Sequence, residues 1–327
     1  MQRLDDVVGA DHHAGREHHV PLTTLRELDL TAPPAPGRPR HLSAASGLVR
    51  VGRHLYVVAD DELHLGVFDA TEGRPGELLR LFAGTLPDPP AARKARKPDL
   101  EALTLVPAFG PYLHGALLAL GSGSTRDRRR GVLLALDAGG ATTGDRCVCD
   151  LSGLFAVLDA RFDTPNIEGA FVSGSELCLL QRGNRRVVQN AIVRFPLAAA
   201  LAAIQMGATV EPAAVHAFDL GRIGAIPLCF TDGAALPGGD FVFSAVAEDT
   251  PDAFCDGQCA GAAVGVATCN GVLRRLVRLD APHKIEGIEA EVRGAAIHVL
   301  MVTDADDADI PACLYSGLLE SGYSRGA

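Results

Sequence analysis

Short apolar runs broken by turn residues constrain this chain more than any other feature. HLYVVA (54–59), ALLAL (116–120), GVLLALD (131–137), ELCLLQ (176–181), DFVFSAVA (240–247), AAVGVA (262–267) and AIHVLMVT (296–303) recur along it, punctuated by Gly, Pro, Asp and Asn. Runs of this length read as buried strands. PLAAALAAIQM (196–206) breaks the pattern, its alanine content and length favouring one inserted helix. TLPDPPAARKARKP (85–98) reads as a Pro-rich, basic surface loop. No linker divides two cores, so the expected organisation is a flexible tail over 1–20 and a single domain over 21–327.

Many short strands suit a sandwich, a barrel or a propeller, and internal repetition decides among them. A polar residue, then a small residue, then an apolar stretch returns in SAASGLVRV, PDLEALTLV, PNIEGAFVS, CFTDGAALP and HKIEGIEAE. The aligned polar residues are Ser46, Glu101, Glu168, Asp232 and Glu286, spaced 54 to 67 residues apart. After each comes a turn and an apolar strand, beginning near His54, Gly115, Glu176, Asp240 and Ala296. A unit of that length holds four strands, the content of one propeller blade. The expectation is an all-β, five-bladed β-propeller, with a six-bladed ring as the alternative and the repeated element as each blade's innermost strand. The last unit runs out after three strands near Leu319. LTTLRELDL (22–30) supplies a fourth, closing the ring and covering its edges.

Equivalent positions on five inner strands point at one another. Four carboxylates and one hydroxyl then ring a narrow channel, and like charges that close cannot all stay ionised without compensation. A bound cation is one solution. Donors that are all oxygen select a hard cation, and five of them plus water suit calcium. Ser46, Glu101, Glu168, Asp232 and Glu286 are therefore candidate ligands of Ca²⁺ or another divalent metal. The other solution is a metal-free network in which Arg182 and Lys284 neutralise the ring. Lys284 precedes Glu286 by two residues and shares its face in a strand.

The ring resembles that of the soluble calcium-activated nucleotidases (apyrases). The likeness is carried by Ser46 with LVRVGRHLYVVADD after it, by KIEGIEA (284–290) and by AEDTPDA (247–253). The recurring IEG motif is also similar to bacterial esterase-like and phytase-like propellers. The nucleotidase resemblance implies five blades around a central calcium held by Ser46, Glu101, Glu168 and Glu286. Asp232 stands where that family carries Ser. It also implies metal-dependent hydrolysis of a phosphate ester, a nucleotide, or a lactone or other ester at the channel mouth. The alternative is a non-catalytic, calcium-stabilised binding module. In the hydrolase reading Glu248 or Asp249 is the general base, and Arg182, in the basic loop at 182–186, clamps an anionic group.

Composition narrows the partners. Lys and Arg number 30 against 40 Asp and Glu, a formal charge of −10 that gives no general attraction to nucleic acid or an anionic membrane. A small anionic or ester substrate is the expected partner. No apolar run approaches the ~20 residues of a membrane-spanning helix. The polar N-terminal residues lack a signal-peptide core, which predicts a cytoplasmic protein, and a closed ring is expected to be stable as a monomer. The 8 cysteines form no CxxC pair or zinc spacing. Cys178, Cys229 and Cys269 sit in apolar runs and read as core thiols, whereas Cys255 and Cys259 lie in a Gly-rich loop able to close a disulfide. His12, His13, His18 and His19 read as part of a polar tail. TDADDADIP (303–311) lacks the central Gly and terminal Glu of an EF-hand, and GSGS (121–124) leads to a charged turn rather than the helix of a dinucleotide loop.

Overall fold

The first four repeat units each supply four strands to a sheet and the fifth supplies three, and the five sheets make a five-bladed β-propeller. The structure is a computed structural model and describes residues 19–250, 257–280 and 283–320. Blade one contains Ala45–Val51, His54–Ala59, His64–Asp69 and Glu77–Arg80. Blade two contains Leu100–Val106, Ala116–Gly121, Arg130–Leu136 and Thr142–Asp150. Blade three is Ile167–Ser173, Glu176–Gln181, Asn190–Pro196 and Ala214–Phe218. Blade four is Cys229–Ala235, Asp240–Glu248, Cys259–Thr268 and Leu273–Leu279. Blade five has Ile285–Arg293, Ala296–Thr303 and Cys313–Glu320. The predicted second strands thus begin where the apolar runs placed them.

Thr23–Glu27 pairs antiparallel with Cys313–Glu320 and completes blade five. The chain's early residues therefore close the ring, as the sequence predicts. Just upstream, His19 and Val20 already pair in parallel with Arg278 and Leu279 of blade four, inside the stretch expected to be a tail. His12, His13 and His18 lie outside the described residues, and so does Cys255, one half of the expected disulfide. Cys178, Cys229 and Cys269 are buried free thiols.

The helix expected near 196–206 is Leu197–Met206, closed by Gly207 in the left-handed conformation. Two more helices appear, Pro90–Arg96 and Ser152–Asp159. The first lies inside the segment expected to be a basic surface loop. Pro at its start and Ala and Arg through it satisfy helix rules that the Pro count obscured. Its Arg93 is buried, as is Lys97 just beyond it.

The blades bury their apolar faces on one another. Phe171 of blade three stacks on Phe241 of blade four at 5.0 Å. At the axis the inner strands nearly touch, which is why small residues recur there. A Cβ on Gly169 would lie 2.8 Å from the Asp232 Cα, and one on Gly287 would lie 3.1 Å from the Leu48 nitrogen. A ring of five blades leaves no room for two side chains at that level.

Every inner strand carries a β-bulge at the repeated motif. Such an extra residue leaves the ladder and re-aims its side chain. In four blades the bulged residue is Ser46, Glu101, Glu168 or Glu286, as aligned. In blade four it is Thr231, because the ladder passes from Phe230 to Asp232. Asp232 takes the place that Gly47, Ala102, Gly169 and Gly287 hold elsewhere. The sequence alignment matched Asp-Gly to Glu-Gly and slipped by one residue, because only the ladder registers the bulge.

Candidate functional site

Two chain positions in each blade build the channel mouth. One is the bulged residue of the inner strand. The other directly follows the bulge's partner on the second strand: Asp60, Ser122, Arg182 and Asp304 in blades one, two, three and five. Their backbones are fixed alike. The N–H of each donates to the residue preceding the inner strand: Asp60 to Ala44, Ser122 to Asp99, Arg182 to Asn166 and Asp304 to Lys284, at 2.9 to 3.1 Å. Blade four offers only Thr231 and Val246 at these places, and Glu248 reaches the mouth from further along its strand.

All of these mouth residues except Ser122, Thr231 and Val246 line a cavity of about 60 Å³ on the axis. Among the described residues, Asp60, Asp99, Glu101, Glu168, Glu248, Glu286 and Asp304 face it, against Lys94, Lys97, Arg128, Arg182 and Lys284. Asn166 and Ser46 also line it.

Arg182 is the hub of one side. Its Nη1 donates to Glu168 Oε2 at 2.9 Å and lies 3.8 Å from Glu286 Oε2, while Nη2 donates to Glu248 Oε2. Asn166 Nδ2 donates to the other Glu168 oxygen at 2.6 Å, and the Gly257 N–H donates to Glu248 Oε1 at 2.8 Å. Lys284 lies 3.6 Å from Glu286 Oε1, 3.2 Å from Asp304 and 2.6 Å from Asp306. The guanidinium expected to clamp an anionic group is thus spent on carboxylates of three blades. It stands among Glu168 and Glu286, which were expected to hold the metal.

The other side is a second network. Lys97 bonds to Asp60 and lies 2.9 Å from Asp99. Arg128 Nη1 donates to Asp99 at 2.7 Å, and the Ser122 hydroxyl donates to the same oxygen. Arg128, in the charged turn that follows GSGS, is buried here. Carboxylate oxygens of Asp60, Asp99 and Glu101 all lie within 4.8 Å of one another.

Burial disturbs the acids. It pushes the Glu286 carboxyl up to about 8, against the opposing pull of Arg182 and Lys284. It pushes Asp304 up to about 7, although Lys284 opposes it. Burial also raises Glu101 well above the usual range, reinforced by Glu168, Asp99 and Asp60. Titrations displaced this far within one cleft mark functional-site candidates. Asp99 and Asp306 add backbone strain, as the non-glycine residues with positive φ among those described, at 57° and 52°.

The remaining sequence candidates lie elsewhere. Asp232 is 1% exposed and away from the cavity, its Oδ2 accepting the Ile288 N–H at 3.0 Å. Thr231 donates its hydroxyl to the Ile285 carbonyl at 2.8 Å. Asp249 is exposed, paired with Arg185, and does not line the cavity. Sequence reasoning left out Asp99, Lys97, Asn166 and Asp304 as site residues. Their positions beside the repeated strands are the signal that could have found them.

A wider basin of about 430 Å³ adjoins the cavity. Asp60, Lys94, Lys97 and Asp304 line both. The helix Pro90–Arg96 and the 304–309 segment form the basin's walls. Its arginines turn into those walls, Arg38 toward Asp61 at 2.7 Å and Arg93 toward Glu62 at 2.8 Å.

A family model covers residues 41–319, the ring apart from Glu320 and the early residues that close blade five. The chain belongs to the family of unknown function DUF6929. No curated protein matches this DUF6929 member. Solved structures similar to it include a luciferin-regenerating enzyme, 10% identical over 86% of this chain and 93% of the other, with a TM-score of 0.43. A GH43 endo-arabinanase from Bacillus licheniformis is 11% identical over 86% of this chain and 95% of its own, with a TM-score of 0.40. A bifunctional GH43-CE protein from Bacteroides eggerthii is 10% identical over 92% of this chain and 35% of its own, at 0.47. Likeness at this level carries no argument about chemistry.

Proposed function

We propose that this DUF6929 propeller is a hydrolase of a small ester or lactone, working where the axial cavity opens into the basin and assisted by a divalent cation. One observation carries the reading. Seven carboxylates meet five cationic side chains around the cavity, so two negative charges are left for protons or a bound cation to offset. The cavity itself is too small for a substrate. The basin, at about 430 Å³, lies within the range of small-molecule sites.

The chain's own groups divide the work. Glu286 keeps its proton near neutral pH and can deliver it to a leaving oxygen. Glu248 offers acceptor oxygens for the proton of an attacking water. Arg182 positions both, since it bonds Glu248 and faces Glu286. A bound cation would supply Lewis-acid polarisation or a water of lowered pKa. The excess of carboxylate disfavours a free phosphate dianion, so neutral esters and lactones are preferred to the nucleotides that the apyrase resemblance suggests. Thr231, the bulged residue of blade four, carries a hydroxyl as the nucleotidases' Ser does, but it donates to the Ile285 carbonyl and does not line the cavity.

The test is turnover of chromogenic esters, lactones and phosphate esters, with chelator or added divalent metal, in wild type and Glu286→Gln. Metal-dependent ester turnover lost in the variant supports the reading, and no turnover of any substrate overturns it. A second reading, a binding module without chemistry, is favoured by the Arg182 and Lys284 pairing, which already ties blades three, four and five together. It expects ligand binding in the basin with no turnover.

A further inference from the structure

We propose that Cys269 and Cys178 form a peroxide-reactive dithiol, Cys269 as the attacking sulfur and Cys178 as its resolving partner, whose product is a disulfide joining blades three and four. The site lies away from the axial cavity and the basin and shares no residue with them. Cys178 is on the second strand of blade three, and Cys269 is in the turn that follows Cys259–Thr268 of blade four. Far apart in the chain, both belong to the apolar cluster that packs these two blades together. The thiols are hydrogen-bonded to each other, the Cys178 S–H donating to the Cys269 sulfur.

Contact alone would describe an ordinary pair of core thiols, but their surroundings make the two unequal. Arg194 stands opposite Cys178 in the ladder of blade three. Its Nη1 donates to the Cys269 carbonyl at 3.3 Å, and its Nη2 lies 2.7 Å from Glu176 Oε2. The Cys269 N–H donates to the Gly239 carbonyl at 3.3 Å, and the Gly271 N–H to the Thr268 carbonyl at 3.0 Å, so the turn is fixed on both sides of the sulfur. Cys178 is fully buried, whereas Cys269 is 7% exposed and precedes the exposed Asn270, so an oxidant the size of water meets Cys269 first. The bond from Cys178, the Ser173 hydroxyl and the Arg194 guanidinium bring the Cys269 thiol down to about 7, against burial and Glu176. The same bond and burial hold the proton on Cys178. A thiol whose pKa lies near ambient pH is the best attacking group, and a resolving cysteine beside it is the mark of a reversible redox site.

The oxidant is hydrogen peroxide or a small hydroperoxide. The Cys269 thiolate attacks one peroxide oxygen, the O–O bond breaks, and a sulfenic acid forms as hydroxide leaves. The Cys178 sulfur then attacks the Cys269 sulfur. The S–S bond forms, the S–O bond breaks, and the sulfenic oxygen leaves as water with the proton that Cys178 held. Two thiols are oxidised to one disulfide, and one peroxide is reduced to two waters. The new bond staples the seam between two blades and restricts the unfolded chain, so the oxidised protein is the more stable form. A thiol reductant reverses it.

The experiment treats reduced wild type, Cys178→Ser and Cys269→Ser with one equivalent of hydrogen peroxide at pH 7. Thiols and disulfides are mapped by mass spectrometry of unreduced peptides, with dimedone present to trap sulfenic acid, and melting midpoints are taken before and after. Wild type is expected to form the Cys178–Cys269 disulfide and to melt several degrees higher, returning to its starting midpoint on reduction. Cys178→Ser should carry dimedone on Cys269, and Cys269→Ser should lose its Cys178 thiol at least tenfold more slowly than wild type. Wild type that keeps both thiols while the exposed Cys147 is oxidised overturns the site. So does loss of the Cys178 thiol at an unchanged rate in Cys269→Ser. Should either variant fail to fold, the wild-type map and the reversible shift in midpoint decide.

Discussion

Arg182 Nη1 and Glu168 Oε2, 2.9 Å apart, come from the two strands of one hairpin and meet on the axis of the ring. The same guanidinium bonds Glu248 from blade four and faces Glu286 from blade five. One cation thus answers to carboxylates of three blades.

Removing it should be severe. Arg182→Met leaves three buried carboxylates without their main partner, and breaking a buried pair in this way costs about 3–5 kcal/mol. Urea unfolding at pH 8 should show that loss. At pH 5.5 the loss should be smaller, because protons then replace the guanidinium.

The raised acids give stability a definite pH slope. Glu286 titrates at about 8 and Asp304 at about 7 in the folded chain, against ordinary values of 4.5 and 3.8. Between those limits the native state binds more protons than the unfolded one, so stability falls as pH rises. The contribution is whole below about pH 4 and lost as pH passes through about 7 and 8. Metal-free protein should therefore melt higher at pH 5.5 than at pH 8.5, and Glu286→Gln should flatten the slope.

Crowding at the axis is testable by one methyl group. In Gly169→Ala the new Cβ falls 2.8 Å from the Asp232 Cα and 3.1 Å from the Gly233 nitrogen, both backbone atoms that cannot turn aside. Overpacking of this kind costs about 1–3 kcal/mol. A lowered melting midpoint with an unchanged circular dichroism spectrum is the expected result.

Asp232 separates the sequence alignment from the ladder. Asp232→Asn keeps an oxygen for the Ile288 N–H and removes a carboxyl that burial holds well above its ordinary range. It should leave any metal-induced rise in melting midpoint intact, because its side chain lies away from the axial cavity. Loss of that rise in Asp232→Asn would restore Asp232 to the ring of ligands.

The blade count, the second-strand starts and the closing strand were readable because apolar runs and turn residues repeat along the chain. Ser46, Glu101, Glu168 and Glu286 were readable for the same reason. Thr231 was not, since a bulge adds a residue without marking the sequence. Lys97 and Arg128 were misread because a charged residue in a polar run gives no sign of burial until its carboxylate partner is known. Asp99 supplies that partner for both, and it lies next to an inner strand rather than in the repeated motif itself. Arg182 directly follows the ELCLLQ run, but two of its three partners, Glu248 and Glu286, come from strands far apart in the chain.

Thr23–Glu27 waits for Cys313–Glu320. During synthesis some 285 residues separate Glu27 from Cys313, and they are made at about 5–20 residues per second. For that interval its ladder groups have no final partner, and the first four blades must persist as an open arc. Any machinery that shields strand edges would find its substrate there, and the last blade to be made decides when that exposure ends.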